Sequence, residues 1–194
     1  MSTSIDLQPA MVLHTRPFRD TSMLVDLISP ELGRFRAVVR GARRAGSRYR
    51  ALLQLFQPIL VSLRGRGELL TLIDAESAGG PLVLRGERLF SGLYLNEILI
   101  RLLPMHQACP VLFARYHETL RLLQGNDPME PVLRYFEIDL LDECGYAPDF
   151  RQDVPGGQPI SPRRLYLFHP DHGFEPVPEG SEAAHVYSGR LLIA

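Results

Sequence analysis

The sequence contains no lysine; all 21 of its basic side chains are arginine. It has only two cysteines, Cys109 and Cys144. Two are too few for a disulfide scaffold, and each falls in an apolar helical pattern, where a reduced thiol behaves as a small core residue. A tetrahedral zinc site would need two further ligands from histidine or carboxylate, so no structural metal and no cofactor are expected. No run of eighteen apolar residues occurs, which excludes a membrane-spanning helix. Met1–Pro9 carries Asp6 and no basic residue, and so lacks the positive flank and apolar core of a signal peptide. The expected location is the cytoplasm. The glycine-rich stretch Gly65-Arg66-Gly67 does not match the GxxxxGK[ST] phosphate loop, and no nucleophile has an evident base and orienting partner.

What is present is a strong charge asymmetry. The 194 residues, 45% hydrophobic and 22% charged, suit one large or two small globular domains. The net charge of −1 conceals a split: residues 1–66 hold eleven arginines against four acids, a balance of +7, and the remainder ten against eighteen, a balance of −8. Seven arginines and no acid fall between Arg34 and Arg50. Such a block points to a half that meets a polyanion.

Hydrophobic periodicity changes along the chain. Five short runs read as strands: Met11–His14, Ser22–Ile28, Arg34–Gly41, Pro58–Leu63 and Glu68–Ile73. Arg16-Pro17-Phe18-Arg19-Asp20 reads as a turn-like break, Ser29–Gly33 as a turn, and Arg64–Gly67 as a hairpin connection. Ala51–Phe56 has room for one or two helical turns between the third and fourth strands. Five short strands with glycine corners and that helix fit a small closed barrel of the OB type. From about Pro81 the period becomes helical. A first segment around Leu89–Leu103 is apolar nearly all round and reads as a buried helix. A second opens at Pro110, carries Leu112, Tyr116, Leu120 and Leu123 on one stripe, and stops at Gly125. A third carries Leu133, Phe136, Leu140, Leu141 and Cys144, with Pro131 blurring its start by a turn. Residues 146–182 read as an irregular loop region with one strand or hairpin at Leu165–Phe168. Ser188–Ala194 reads as the opening of a helix that is then cut off, as in a truncated version of a longer protein. The expected class is α+β: an OB-type nucleic-acid-binding domain over 1–80, then a helical domain over 81–194 with a loop or hairpin insertion at about 146–182.

The third strand supplies the candidate site. Alternation puts Phe35, Ala37 and Val39 on one face and Arg34, Arg36 and Arg40 on the other. Arg43, Arg44, Arg48 and Arg50 follow in a loop with Gly41 and Gly46. Guanidinium forks match phosphate oxygens, and OB barrels hold single strands by such a groove plus aromatic stacking. Tyr49 is either the stacking residue or a partly buried loop tyrosine. His169-Pro170-Asp171-His172 imitates a metal pair but lacks a third ligand, and reads as surface loop. Glu137, Asp139, Asp142 and Glu143 read as the wet face of an amphipathic helix rather than a catalytic cluster.

Taken in order, several short pieces resemble the bacterial RecO recombination-mediator family. They are Arg16-Pro17-Phe18 with Asp20 and Ser22, Glu31-Leu32-Gly33-Arg34, Gly41-Ala42-Arg43-Arg44, Leu53-Gln54-Leu55-Phe56 and Arg66-Gly67-Glu68. In the helical part they are Tyr94-Leu95-Asn96-Glu97 and Leu133-Arg134-Tyr135-Phe136-Glu137 with Gly145-Tyr146. The resemblance implies no enzymatic activity. It implies binding of single- and double-stranded DNA, strand annealing, and loading of RecA onto DNA coated by single-strand-binding protein, together with RecR, at the nucleoid. It also implies an apolar groove on the helical domain for the acidic tail of single-strand-binding protein, with Arg101, Arg115, Arg121 and Arg134 available at a rim. Three departures stand out. No cysteine follows Cys144, so the four-cysteine zinc module of many relatives is degenerate; Leu55 replaces a proline; and the family's C-terminal helices run beyond residue 194. Two other readings remain open, an OB-type binder of structured RNA and an arginine-rich scaffold for an acidic protein.

Overall fold

The computed structural model describes residues 3–65, 67, 69–154, 156–170, 172–181 and 184–193. Arg66 and Glu68 of the expected hairpin, and Asp171, lie outside them. The chain divides into two compact units, Met1–Cys144 and Gly145–Ala194.

In the first unit, five strands close into a barrel in the order β1-β2-β3-β5-β4: β1 Thr3–Phe18, β2 Ser22–Ser29, β3 Gly33–Val39, β4 Pro58–Gly65 and β5 Leu69–Ser77. All neighbours are antiparallel except β3 and β5, which meet in parallel over only Arg36–Val38 and Leu69–Thr71. This is the OB-type barrel expected from the sequence. A short helix α1, Tyr49–Leu52, lies between β3 and β4. Inward residues of every strand fill the barrel; Phe35, Ala37 and Val39 of β3 are fully buried there. Complete burial of one such phenylalanine stabilises by about 1.5–3 kcal/mol.

The first strand is four times longer than its apolar core suggested. Its first half pairs with β4 and its second half with β2, meeting at Met11. Arg16-Pro17-Phe18 is therefore strand, paired with Leu24, Met23 and Ser22, and only Arg19–Thr21 forms the turn. Beyond Val12 the strand has a ladder partner on one side only, so the missing N–H of Pro17 is tolerated. That one-sidedness is invisible in the local sequence.

Three helices follow: α2 Glu87–Leu102, α3 Pro110–Gln124 and α4 Met129–Glu143. Pro110 opens α3 and Gly125 caps it, and Leu112, Tyr116, Leu120 and Leu123 are its buried stripe. Pro131 falls in the first turn of α4, where its absent N–H would have had no intrahelical partner. The expectation of a fully buried first helix does not hold. Gly92, Leu95, Asn96 and Leu99 of α2 are buried, but Phe90 is 71% exposed and Leu89, Leu93, Tyr94 and Leu102 are exposed too. Within the first unit, one side of α2 meets β1 and the other helices, and the other side is left open. The cysteines also sit at helix ends rather than inside helices, Cys109 at the start of α3 and Cys144 at the end of α4.

Barrel and helices share a core. Met11 and Leu13 of β1 and Ile28 of β2 point out of the barrel into a cluster with Leu95, Leu99, Leu112, Tyr116, Leu120 and Phe136. The β1 register shifts between Val12 and His14, so Leu13 is an extra residue, a β-bulge whose carbonyl leaves the ladder. The Asn96 side-chain amide donates to that carbonyl at 2.9 Å, and the Tyr116 hydroxyl donates to Asn96 Oδ1 at 2.5 Å. Burial pushes the Tyr116 phenol well above its ordinary pKa. The loop between α2 and α3 closes on the β2–β3 corner: His106 N–H donates to Arg34 O and Cys109 N–H to Pro30 O. Gly33 at that corner has φ +61°, and a Cβ there would lie 1.7 Å from the Gln107 carbonyl oxygen.

In the second unit the loop region is more ordered than its proline and glycine content suggested. Strands β6 Leu165–His169, β7 Gly173–Val177 and β8 Val186–Ser188 form an antiparallel sheet in the order β7-β6-β8. Its core is Ile160, Tyr166 and Phe174, with Phe150, Phe168 and Tyr187 packed around them. Ser188 caps the short helix α5, Gly189–Leu192, by accepting from Leu191 N–H.

Asn96→Ala removes the partner of two buried polar groups at once. It is expected to cost about 3 kcal/mol, at roughly 1–3 per stranded group, read as a lower urea midpoint. Tyr116→Phe should cost less, and the double variant should lose less than the sum, because the two residues act through one network.

Candidate nucleic-acid interface

The positive half of the chain becomes the outer surface of β3 and the connection that follows it. The alternation of β3 sends Arg34, Arg36 and Arg40 outward, but their surroundings differ. Arg34 is half-buried and its Nε donates to the Leu103 carbonyl at 2.8 Å. Burial lowers its pKa, partly opposed by Asp26. Arg36 pairs through Nε with the buried Asp26 of β2 at 2.9 Å. Both therefore help hold the barrel wall and the end of α2. Arg40, just past β3, is exposed.

The loop arginines are sorted in the same way. Gly41, at φ +70°, turns the chain, and Arg44 N–H closes that turn on Gly41 O. Arg43 folds back on the β1–β2 turn: its Nη1 donates to Arg19 O and Asp20 O at 3.2 and 3.3 Å, and its N–H to Thr21 O. Arg48 pairs with Asp74 and lies 5.2 Å over the Tyr49 ring, while the Tyr49 hydroxyl donates to Ile73 O. Arg50 is exposed on α1. The structure thus brings Arg40 and Arg44 together and sets Arg34, Arg36, Arg48 and Tyr49 in contacts of their own.

Arg40 and Arg44 line an open groove of about 670 Å³ where β3 and β5 meet. Arg19 joins them from the β1–β2 turn, and Phe18, Val38 and Leu69 add apolar surface to a lining that also holds Thr21, Ser22 and Thr71. Arg19 was not singled out from the sequence. Its only signal was its place in the Pro17–Asp20 break, and nothing local places that break beside Arg40. Three guanidinium groups beside Phe18 and Leu69 can hold an anion attached to a flat apolar body.

Comparison with known proteins bears on what that anion is. The family model described as Recombination protein O N terminal matches residues 1–80, and Recombination protein O C terminal matches residues 84–192. The chain belongs to the RecO family. The DNA repair protein RecO of Cellvibrio japonicus is 44% identical over 190 residues, 98% of this chain and 80% of the relative. That of Pseudomonas aeruginosa is 52% identical over 172 residues, 88% and 71%. That of Coxiella burnetii is 43% identical over 194 residues, 100% and 83%.

His169 Nε2 lies 3.1 Å from Glu175 across the β6–β7 hairpin, and among the described residues no three His, Cys, Asp or Glu side chains converge. Glu137 accepts from Tyr94 OH and Arg134, and Asp139 lies 3.6 Å from Arg115. These acids balance cations on the helical surface. All four arginines considered for a partner groove are ion-paired, Arg101 with Glu97 and Arg121 with Glu118 completing the set. Exposed pairs of this kind contribute about 0–1 kcal/mol, so an incoming carboxylate can displace them. Arg16 and Arg101 flank a groove of about 430 Å³ floored by Leu93 and Ile100. Among the described residues no helix is long and apolar enough to cross a membrane.

Cys109 is fully buried, and its thiol pKa is pushed up to about 11, by burial first and by Glu143 second. At pH 8 it stays protonated and enclosed. In the folded protein a disulfide reagent should therefore modify Cys144 well before Cys109, and both thiols should react alike in denaturant. Prompt reaction of Cys109 in the native state, located by peptide mass mapping, would contradict this placement.

Proposed function

We propose that this chain is a non-enzymatic recombination mediator of DNA repair. It binds single- and double-stranded DNA, anneals complementary strands, and assists RecA loading onto DNA coated by single-strand-binding protein, together with RecR. The observation that carries the reading is the groove rimmed by Arg19, Arg40 and Arg44 on a RecO-family barrel. Arg48 and Arg50 extend the positive surface, Arg43 braces it, and Arg34 and Arg36 fix the strand it is built on. Phosphate contacts position a strand without reading its bases, which suits a protein that must act on any sequence. The cleft flanked by Arg16 and Arg101 is a suitable seat for the acidic, apolar tail of single-strand-binding protein, because it offers apolar floor and cationic rim together. The domain assignment that goes with this reading is an OB domain over 1–80 and a helical domain over 81–194. The site of action is the cytoplasmic nucleoid.

The test is a binding panel of single-stranded DNA, structured RNA and an acidic peptide, each titrated with salt. If five arginines meet phosphates, log affinity for single strands should fall against log salt with a slope of about −3.5, at about −0.7 per contact. Replacing Arg40 and Arg44 together with alanine should flatten that slope by about 1.4 and slow annealing of complementary strands. The exposed pair Arg163 and Arg164 serves as control. Equal or tighter binding of the acidic peptide, salt-independent DNA binding, or a larger loss from the control pair would overturn the reading.

A further inference from the structure

Two aromatic residues adjoin the arginine surface, and the structure treats them differently. Tyr49 has its hydroxyl bonded to Ile73 O, and the Arg48 beside its ring is tied to Asp74. It does not line the groove. Phe18 does. It ends β1, paired with Ser22, and is half-buried.

The residue after it is held in an unusual conformation. Arg19 has φ +52°, a left-handed value that costs a non-glycine residue free energy. The two bonds from Arg43 to Arg19 O and Asp20 O clamp this turn. The result sets the Arg19 guanidinium 5.2 Å over the Phe18 ring. Beside this pair lie Leu69, 45% exposed, and Val38. Arg40 and Arg44 stand on the same groove. Charge sits at the rim and flat apolar or π surface lies within one residue of it. A nucleotide has the same two parts, a phosphate and a flat base.

Resting on the DNA-binding reading above, we propose that the Phe18–Arg19 corner is a nucleotide seat that makes the groove prefer single strands to duplex. The phosphate lies between Arg40 and Arg44, and the base stacks on the Phe18–Arg19 pair beside Val38 and Leu69. A base in a duplex is already stacked and paired and offers this corner only its backbone. Duplex DNA therefore gains the phosphate contacts alone, whereas an unpaired strand gains stacking in addition. Stacking is tolerant of base identity because every base has a π face, so the preference is for strandedness and not for sequence.

The experiment uses the whole chain, an oligothymidylate carrying one 2-aminopurine, and a duplex of matched length. The wild type should change the 2-aminopurine fluorescence on binding, the signature of altered base stacking. Phe18→Leu, which keeps an apolar side chain, should abolish that change and weaken single-strand binding by about fivefold or more. It should leave the salt slope and duplex affinity unaltered. Should Phe18→Leu misfold by circular dichroism, Arg19→Gln, which leaves the ring in place, carries the same test and should also reduce single-strand preference, with the salt slope falling by about 0.7. Variants that fold yet keep wild-type preference and fluorescence response, or that lose both DNA forms equally, would overturn the seat while leaving the DNA-binding reading standing. A wild type that binds neither form would overturn both.

Discussion

The amide of Asn96 is the point on which the arrangement of the first unit depends. A β-bulge at Leu13 withdraws one carbonyl from the barrel ladder and aims it at the helices. In a buried setting that oxygen must be paired, and Asn96 on α2 pairs it while accepting from Tyr116 on α3. Three elements are thereby fixed by one polar side chain. The apolar cluster around it gives the bulk of the favourable free energy, but apolar contact alone tolerates sliding. The hydrogen bonds specify one register of helix against barrel.

That register has consequences at the far face of β3. With β1 and β2 packed on the helices, Arg34 reaches the last carbonyls of α2, and Arg36 is drawn to the buried Asp26. Both guanidinium groups are held by these contacts. Of the arginines beyond the end of the strand, Arg43 and Arg48 are likewise tied down, and Arg40 and Arg44 gather with Arg19 on the groove. The same side-chain type thus serves as a structural fastener at one end of a strand and as an open cation at the other. The difference comes from where the helices end.

Part of α2 is exposed although its sequence is apolar nearly all round. Apolar residues surround this helix, yet only the side containing Gly92, Leu95, Asn96 and Leu99 is enclosed. Periodicity reports which residues prefer burial; it cannot report whether a neighbour is present. The second unit gives the opposite lesson. Proline and glycine made residues 146–182 look irregular, but Tyr166, Phe168, Phe174 and Tyr187 come together as an aromatic core that holds a three-stranded sheet.

The sequence by itself determined the barrel class, the change from strand to helix between Ile73 and Leu89, the limits of α3 and the inward face of β3. Each is a local matter of periodicity, turn chemistry or capping, and a residue's own neighbours in the chain supply the information. It also determined that the first 66 residues carry the positive charge. Only the tertiary structure decided the length of β1, whose two halves pair with different strands, and which arginines remain open. It alone separated Tyr49 from Phe18 and set Arg19 beside Arg40 and Arg44. Those outcomes depend on partners that the fold brings together, such as Asp26 against Arg36 and Leu103 against Arg34. A side chain's availability is fixed by what stands against it, and no periodicity along the chain records that.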